Sequence, residues 1–365
     1  MKANRIILST VLLLITLLVI EVTLRVFTPF PIHAHRANKT DDNILSYRLD
    51  QSLGGIDDNG FRNASVPETA DIVAIGDSHT YGVNVDPEDS WPNQLAAMTN
   101  MSIYNFGVSG YGILQYKHLI HEATKLKPRY IIIGFYAAND LKVCKLFGSL
   151  DYWKEWAKEK EYDIEFCPSK NKKERFLLSK YAMYETAIGS LTTYVWELAS
   201  QRYNLGAEGQ SVIINHGSNP TITTGDRLIN QYRNMDLTRQ EASLGFEITK
   251  DVLIEAKNRL DKLDIELIVM FIPSKESVYL DFPEDSDFQP PREFYDMVAK
   301  ENDVLDKLTT TLNDHDIDYI NAKPYVSDAV KQSKRVYTYT GDGHPLKAGY
   351  EAYAKAVYES SFASQ

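Results

Sequence analysis

Residues 71–82 read DIVAIGDSHTYG, an apolar run that ends in Gly76-Asp77-Ser78. A buried parallel strand delivers a serine in this way onto the turn at its carboxyl end, where open α/β sheets place their reactive groups. Gly-Asp-Ser also makes ordinary turns, so the serine needs partners. They follow at the ends of later apolar runs. His344 lies in Gly341-Asp342-Gly343-His344-Pro345, on a Gly-rich loop just before the last helix. Histidine is the side chain best tuned to take a hydroxyl proton near neutral pH. Asp342, two residues before it, could fix the imidazole tautomer and steady its positive charge. A developing oxyanion needs preorganised donors. Gly110, in Asn105-Phe106-Gly107-Val108-Ser109-Gly110, offers a backbone N–H with no Cβ in the way. Asn139, in Ala137-Ala138-Asn139-Asp140, offers a side-chain amide. A nucleophile, two oxyanion donors and an acid–base pair are the parts of serine acyl-ester chemistry.

The elements that must position these residues alternate between strand and helix. Apolar runs fall at Ile72–Ile75, Ile103–Phe106, Ile131–Tyr136, Leu267–Ile272 and Ile317–Ile320. The first four are short, β-branched and nearly continuous, as strands covered on both faces must be. Helical patterns occupy Trp91–Met98, Tyr116–Leu126, a segment near Leu253–Leu263, and Ala348–Phe362. The expectation is an α/β fold with a doubly wound parallel sheet of about five strands. Between the third and fourth strands lie about 125 residues, too many for one crossover helix. Within them Tyr181, Tyr184, Ile188, Leu191, Val195 and Leu198 recur at helical spacing and predict an amphipathic helix. Its aromatic stripe suits core packing better than a sugar platform. Gly206 to Asp226 is polar and reads as a loop. We expect a cap-like insertion over 141–264, at the active-site end of a domain spanning 67–365.

At 365 residues and 44% hydrophobic, the chain can bury one large core or two modest ones. A net charge of −11 argues against nucleic acid as a partner. The amino terminus departs from the soluble pattern. Ile6 to Ile20 is uncharged and strongly apolar, preceded by Lys2 and Arg5. With its flank to Phe27 it reaches about the 20 residues that a bilayer needs. Residues 1–28 are therefore expected to be an uncleaved signal-anchor, a transmembrane helix with its basic start in the cytoplasm and the catalytic part outside. A cleaved secretory peptide is the alternative, and it exports the same part. Residues 29–66, rich in Pro, Asn, Asp and Gly, read as a linker that docks near Asn59-Gly60-Phe61-Arg62. Cys144 and Cys167 suit one disulfide in an exported protein, with two free thiols as the alternative.

The ordered set Ser78, Gly110, Asn139, His344 resembles the SGNH (GDSL-type) hydrolase superfamily, whose motif residues occur in that order. More narrowly, the chain is similar to membrane-anchored bacterial members that share the Asn-Gly-Phe-Arg approach, Gly-Asp-Ser-x-Thr-x-Gly and Asn-x-Gly-x-x-Gly. The likeness is dense over 59–140, returns at 265–275 and 335–365, and leaves the insertion unmatched. It implies a three-layer α/β/α fold, Ser78 as nucleophile, His344 as base, and an oxyanion hole from the Ser78 N–H, Gly110 and Asn139. It implies neither cofactor nor metal. Two positions depart from the family pattern. Ala137 stands where Gly is usual, and one residue rather than two separates Asp342 from His344. The role of Asp342 stays open between third triad member and turn-forming residue.

Asp77-Ser78-His79 also resembles the Asp-x-His start of binuclear metallophosphoesterases, with Asp342 and His344 as a second pair of ligands. The further acidic and Gly-Asn-His signatures of that family are missing from the sequence. His79 reads instead as a cleft wall or surface residue, and His33 and His35 as linker. Gly107-x-Ser109 fails as a nucleophile elbow at Tyr111. Ile272-Pro273-Ser274-Lys275-Glu276 resembles a segment of exported sugar O-acetylation proteins in the superfamily. Lys275 could there meet an anionic substrate or simply be a solvated loop lysine. The sequence thus predicts an extracytoplasmic esterase or O-acyltransferase acting on acylated carbohydrate or a similar small-molecule or glycan ester. A catalytically inactive scaffold that binds a glycan or envelope complex is the alternative.

Overall fold

The computed structural model describes residues 2–27, 39–51, 55–168, 211–214, 221–282, 290–332, 334–338 and 341–363. The chain divides into two units, one of residues 1–39 and 171–206, the other of residues 40–170 and 207–365. In the first, the described element is helix α1 (Lys2–Phe27). Among the described residues no helix is long and apolar enough to cross a membrane, and within α1 the described side chains are those of residues 9–21 and 23. The amphipathic helix expected over 181–198 and the histidines at 33 and 35 lie outside the described residues.

The second unit is built on a five-stranded parallel sheet. Its strands are β3 (Ile72–Gly76), β4 (Ile103–Asn105), β5 (Tyr130–Phe135), β8 (Glu266–Phe271) and β9 (Asp318–Asn321), in spatial order β4-β3-β5-β8-β9. Renumbered within the sheet this is 2-1-3-4-5, the flavodoxin-like doubly wound order. Every residue of β3 and β5 is buried, which is why both read as unbroken apolar runs rather than alternating ones. The register pairs Gly76 with Gly134 and Phe135 with Phe271, so neighbouring strands end level with one another. The loops that follow them are therefore gathered at one edge.

Short helices open on several of those loops: α2 (Ser78–Tyr81), α5 (Ala137–Asp140) and α10 (Lys275–Tyr279). The longer helices cover the sheet. Helix α3 (Trp91–Thr99) packs on α13 (Lys347–Ser361), and α4 (Ile113–Ala123) on α9 (Gln240–Leu260). Helices α6 (Cys144–Phe147) and α7 (Asp151–Glu159) follow α5, and α8 (Gly225–Met235) packs on α11 (Arg292–Asp314). Helix α12 (Lys323–Lys331) follows β9. Cys144 and Cys167 are joined by a disulfide, with their Cα atoms 5.0 Å apart.

Three boundaries differ from the sequence reading. The described parts of the expected linker 29–66, residues 39–51 and 55–66, pack into the fold. Strand β1 (Lys39–Asp42) forms a two-stranded sheet with β2 (Ser46–Leu49), whose residues alternate between partial and full burial. Leu45, Tyr47, Leu49 and Phe61 are core residues, an alternation that the polar neighbours had masked. The expected loop 206–226 contains an antiparallel pair, β6 (Ser211–Ile214) and β7 (Thr221–Thr224). Their β-branched content outweighs their polarity, since Thr suits a pleated half-buried surface. Finally, α9 begins at Gln240 and leads into β8. The last part of 141–264 is thus the ordinary crossover helix into the fourth strand of the sheet.

Candidate active site

Strand β3 ends at Gly76 because the chain turns sharply there. A Cβ at position 76 would overlap the Thr80 hydroxyl. Asp77 caps the short helix α2, its carboxylate accepting from the His79 N–H at 2.9 Å. Ser78 is the first residue of that helix and is almost fully buried. The carboxyl end of α2 is held from the Asn59-Gly60-Phe61-Arg62 segment. Arg62 donates to the carbonyls of Tyr81, Gly82 and Val85 at 3.2, 2.8 and 2.9 Å. Its guanidinium also lies 4.7 Å from the Tyr81 ring centroid. Phe61 anchors the segment edge-on between Tyr104 and Phe106.

The structure brings Ser78, His344 and Asp342 together across 266 positions of sequence. His344 Nε2 lies 2.7 Å from Ser78 Oγ, and His344 Nδ1 lies 2.6 Å from Asp342 Oδ1. The Asp342 carboxylate also accepts from the His344 backbone N–H at 3.1 Å and from the Asn84 amide at 2.6 Å. Burial alone pushes the Asp342 carboxyl up, but the bonds from His344 and Asn84 outweigh it and hold the group well below the usual carboxylate range. An ionised Asp342 on Nδ1 leaves Nε2 as the basic nitrogen facing the serine. A single intervening residue is enough because the loop folds the carboxylate back onto its own backbone. The loop is pinned by a bridge between Tyr337 and Pro345, and by the Leu346 N–H on the Val336 carbonyl at 2.7 Å.

On the opposite side, residues 108–111 form a turn beside the end of β3. The Val108 N–H donates to the Gly76 carbonyl at 3.2 Å, and Tyr111 N–H closes the turn on the Val108 carbonyl at 3.1 Å. Gly110 has φ +83°, a conformation that a side chain would strain. Among the described residues the backbone N–H groups of Ser78 and Gly110 donate to no protein acceptor. Asn139 is placed differently. Its amide nitrogen donates to Asp77 at 3.0 Å and to the Tyr111 carbonyl at 2.7 Å, which uses both of its N–H groups. In this arrangement Asn139 braces the two loops. Burial raises the Asp77 carboxyl above its ordinary value, against the opposing pull of the His79 N–H and of charges on His344 and Lys142.

At two residues the structure decides between alternatives that the sequence left open. His79 is not at the surface. It is buried with its ring centroid 4.6 Å from Tyr136 and 5.0 Å from His344. Burial, reinforced by the charges of His344 and Arg227, holds it well below the ordinary histidine range and so neutral. Nor is Lys275 a solvated loop lysine, for it is fully buried. Its Nζ donates to the Asp342 carbonyl at 3.0 Å and the Thr221 hydroxyl at 3.2 Å. Burial pushes it down to about 7, against the opposing pull of Glu276. Glu276, equally buried, accepts from Thr223 at 2.6 Å and from Arg227 at 3.0 Å. Arg227 in turn lies against the loop of Asp342 and His344, where a Cβ at Gly343 would overlap its guanidinium. Asn84, Thr221, Arg227 and Glu276 carried no local signal in the sequence. Among the described residues no group of three or more His, Cys, Asp or Glu side chains could hold a metal ion.

Residues 72–161 match the family model described as GDSL-like Lipase/Acylhydrolase. No curated protein matches the sequence. The chain is similar to an extracellular lipase from Streptomyces rimosus, at 12% identity over 80% of this chain and 100% of that one, with a TM-score of 0.42. It is also similar to an acetylxylan esterase from Geobacillus stearothermophilus, at 11% identity over 80% and 94% of the two chains and a TM-score of 0.37. A member of the lipolytic G-D-S-L family from Veillonella parvula matches at 13% identity over 80% and 98%, with a TM-score of 0.39. The family match supports the GDSL/SGNH hydrolase superfamily and, within it, a serine ester hydrolase.

Proposed function

We propose that this chain forms an acyl-enzyme on Ser78 and works outside the cytoplasm, on acetylated or otherwise acylated carbohydrate or a similar ester. Ser78 Oγ attacks the ester carbonyl while His344 Nε2 takes its proton. The imidazolium, steadied by Asp342, returns that proton to the leaving alcohol. The oxyanion rests on the N–H groups of Ser78 and Gly110. Asn139 joins them when its amide turns from Asp77 toward the substrate. Water then releases the acyl group in an esterase, and a glycan hydroxyl takes it in an O-acyltransferase. The observation that carries this reading is the unbroken run of hydrogen bonds from Asp342 through His344 to Ser78. The location and the membrane tether rest on the sequence of the amino terminus, the apolar run Ile6–Ile20 behind Lys2 and Arg5.

The test uses the full chain in a nonionic detergent. Turnover of p-nitrophenyl acetate, fluorophosphonate labelling, and loss of both in Ser78→Ala are the expected results. An added oligosaccharide acceptor that draws acetyl away from water identifies a transferase. A chain that neither turns over nor labels is a binding scaffold. Activity lost to a chelator and regained with a divalent ion overturns the serine mechanism. Alkaline carbonate that strips the chain from membranes rejects the tether.

A further inference from the structure

The oxyanion turn is held from a part of the chain that precedes the region matched by the family model. Tyr47, on β2, donates its hydroxyl to the carbonyl of Ser109. The Tyr111 hydroxyl donates back to the Tyr47 carbonyl, and the two rings pack with centroids 5.5 Å apart. Ser109 and Gly110 occupy the two central positions of the turn closed by Tyr111 and Val108. A φ of +83° at Gly110, with Ser109 not in the positive-φ region, is the type II arrangement.

The carbonyl of Ser109 and the N–H of Gly110 belong to one planar peptide unit and point in opposite directions. Types I and II differ chiefly in which way that central peptide faces. Fixing the Ser109 carbonyl therefore fixes where the Gly110 N–H points. We propose that Tyr47 is a positioning residue for the oxyanion hole, locking the Ser109–Gly110 peptide so that the Gly110 N–H faces the substrate carbonyl. The bond to Ser109 also polarises the amide and strengthens its N–H as a donor. Burial, with the nearby charge of Asp77, pushes the Tyr47 hydroxyl up to about 12, so it remains a donor throughout the working pH range. This proposal rests on the assignment of Ser78 and Gly110 above.

The test is Tyr47→Phe in the full chain, read with p-nitrophenyl acetate and with phenylboronic acid, whose serine adduct is tetrahedral. Losing an oxyanion donor outright costs about 10²–10³ in kcat, and losing only its orientation should cost about tenfold. We expect kcat to fall about tenfold with KM within twofold, and boronate affinity to weaken by the same factor. The shape of the pH profile should stay that of wild type. A purely structural tyrosine would lower Tm without this split between kcat and KM. Should Tyr47→Phe not fold, 4-aminophenylalanine at position 47 supplies a weaker donor of the same size. A few-fold loss of boronate affinity there supports the proposal, and no loss overturns it. Boronate bound equally by wild type and Tyr47→Phe overturns the role of Tyr47 alone. Wild type that binds no boronate fails the acyl-ester reading and the Tyr47 proposal with it.

Discussion

The two halves of the site are held by different physics. Ser78 and the Gly110 turn are positioned by backbone geometry, by a neutral tyrosine, an arginine on carbonyls and one left-handed glycine, with Asp77 capping the helix of Ser78. The Asp342–His344 loop is positioned by a buried charged cluster, with Lys275 on its carbonyl, Arg227 against Gly343, and Glu276 between them. Buried charges are costly unless fully paired, so they are seldom the cheapest way to fix a loop. What they add is sensitivity, because one proton gained or lost changes the hold. The two halves therefore differ in kind: the base half leans on a buried lysine shifted down toward neutral pH, and the nucleophile half on neutral groups and a buried acid, Asp77, shifted upward.

The largest test of this contrast lies within the base half. Asp342→Asn keeps the shape of the loop and the bond from Asn84 can be remade, yet it removes the negative charge on Nδ1 and permits the wrong tautomer. We expect turnover to fall by about 10⁴, with KM little changed. If the loss is less than tenfold, Asp342 is a turn residue and the base works without it. The measurement is steady-state ester hydrolysis by protein whose Tm matches that of wild type.

Ser78 and Gly110 were readable because each follows an apolar run, Ile72–Ile75 and Ile103–Phe106 respectively, where strand period and turn chemistry coincide within a few positions. The residues that hold them in place were not. Tyr47 reaches Ser109 over 62 positions, and Lys275 reaches Asp342 over 67. No local pattern marks a tyrosine as a peptide lock or a lysine as buried. Asp342 is intermediate: its spacing to His344 departs from the family pattern, and only the folded loop decides that one intervening residue suffices. The hairpin at 40–49 was hidden for a related reason, since two short strands of polar and apolar residues look like a linker until the core beneath them is known.

Lys275→Met probes the charge-sensitive side at a smaller scale. Loss of the bond to the Asp342 carbonyl should lower kcat about tenfold, in line with the roughly 0.5–1.5 kcal/mol of an intramolecular hydrogen bond. Its stability signature has a definite sign. In the unfolded chain Lys275 titrates near 10.5, and in the folded chain near 7. Between those values the unfolded state binds the extra proton, so wild-type stability gains a rising contribution as pH increases through that window. The methionine variant lacks it. Calorimetry should show Tm of Lys275→Met, relative to wild type, falling as pH rises from about 7 to about 10. A constant difference would mean that the lysine keeps its proton when folded.

The smallest expected effect is on the other half, and it completes the contrast. Arg62→Ala removes three bonds to the carbonyls that end helix α2, along with the stacking on Tyr81. Tyr81 and Gly82 are buried and Val85 is half-buried, so water replaces only part of what is lost, and the cost should be about 1–3 kcal/mol of stability. Ser78 sits at the amino end of the same short helix, capped separately by Asp77, and should shift little. We expect kcat to fall no more than about threefold, less than 1 kcal/mol in the barrier. Unlike the Lys275 variant, its Tm deficit should be the same at pH 7 and pH 9. A deficit that changes across that range would couple Arg62 to a group that titrates between pH 7 and pH 9 and remove the distinction between the two halves.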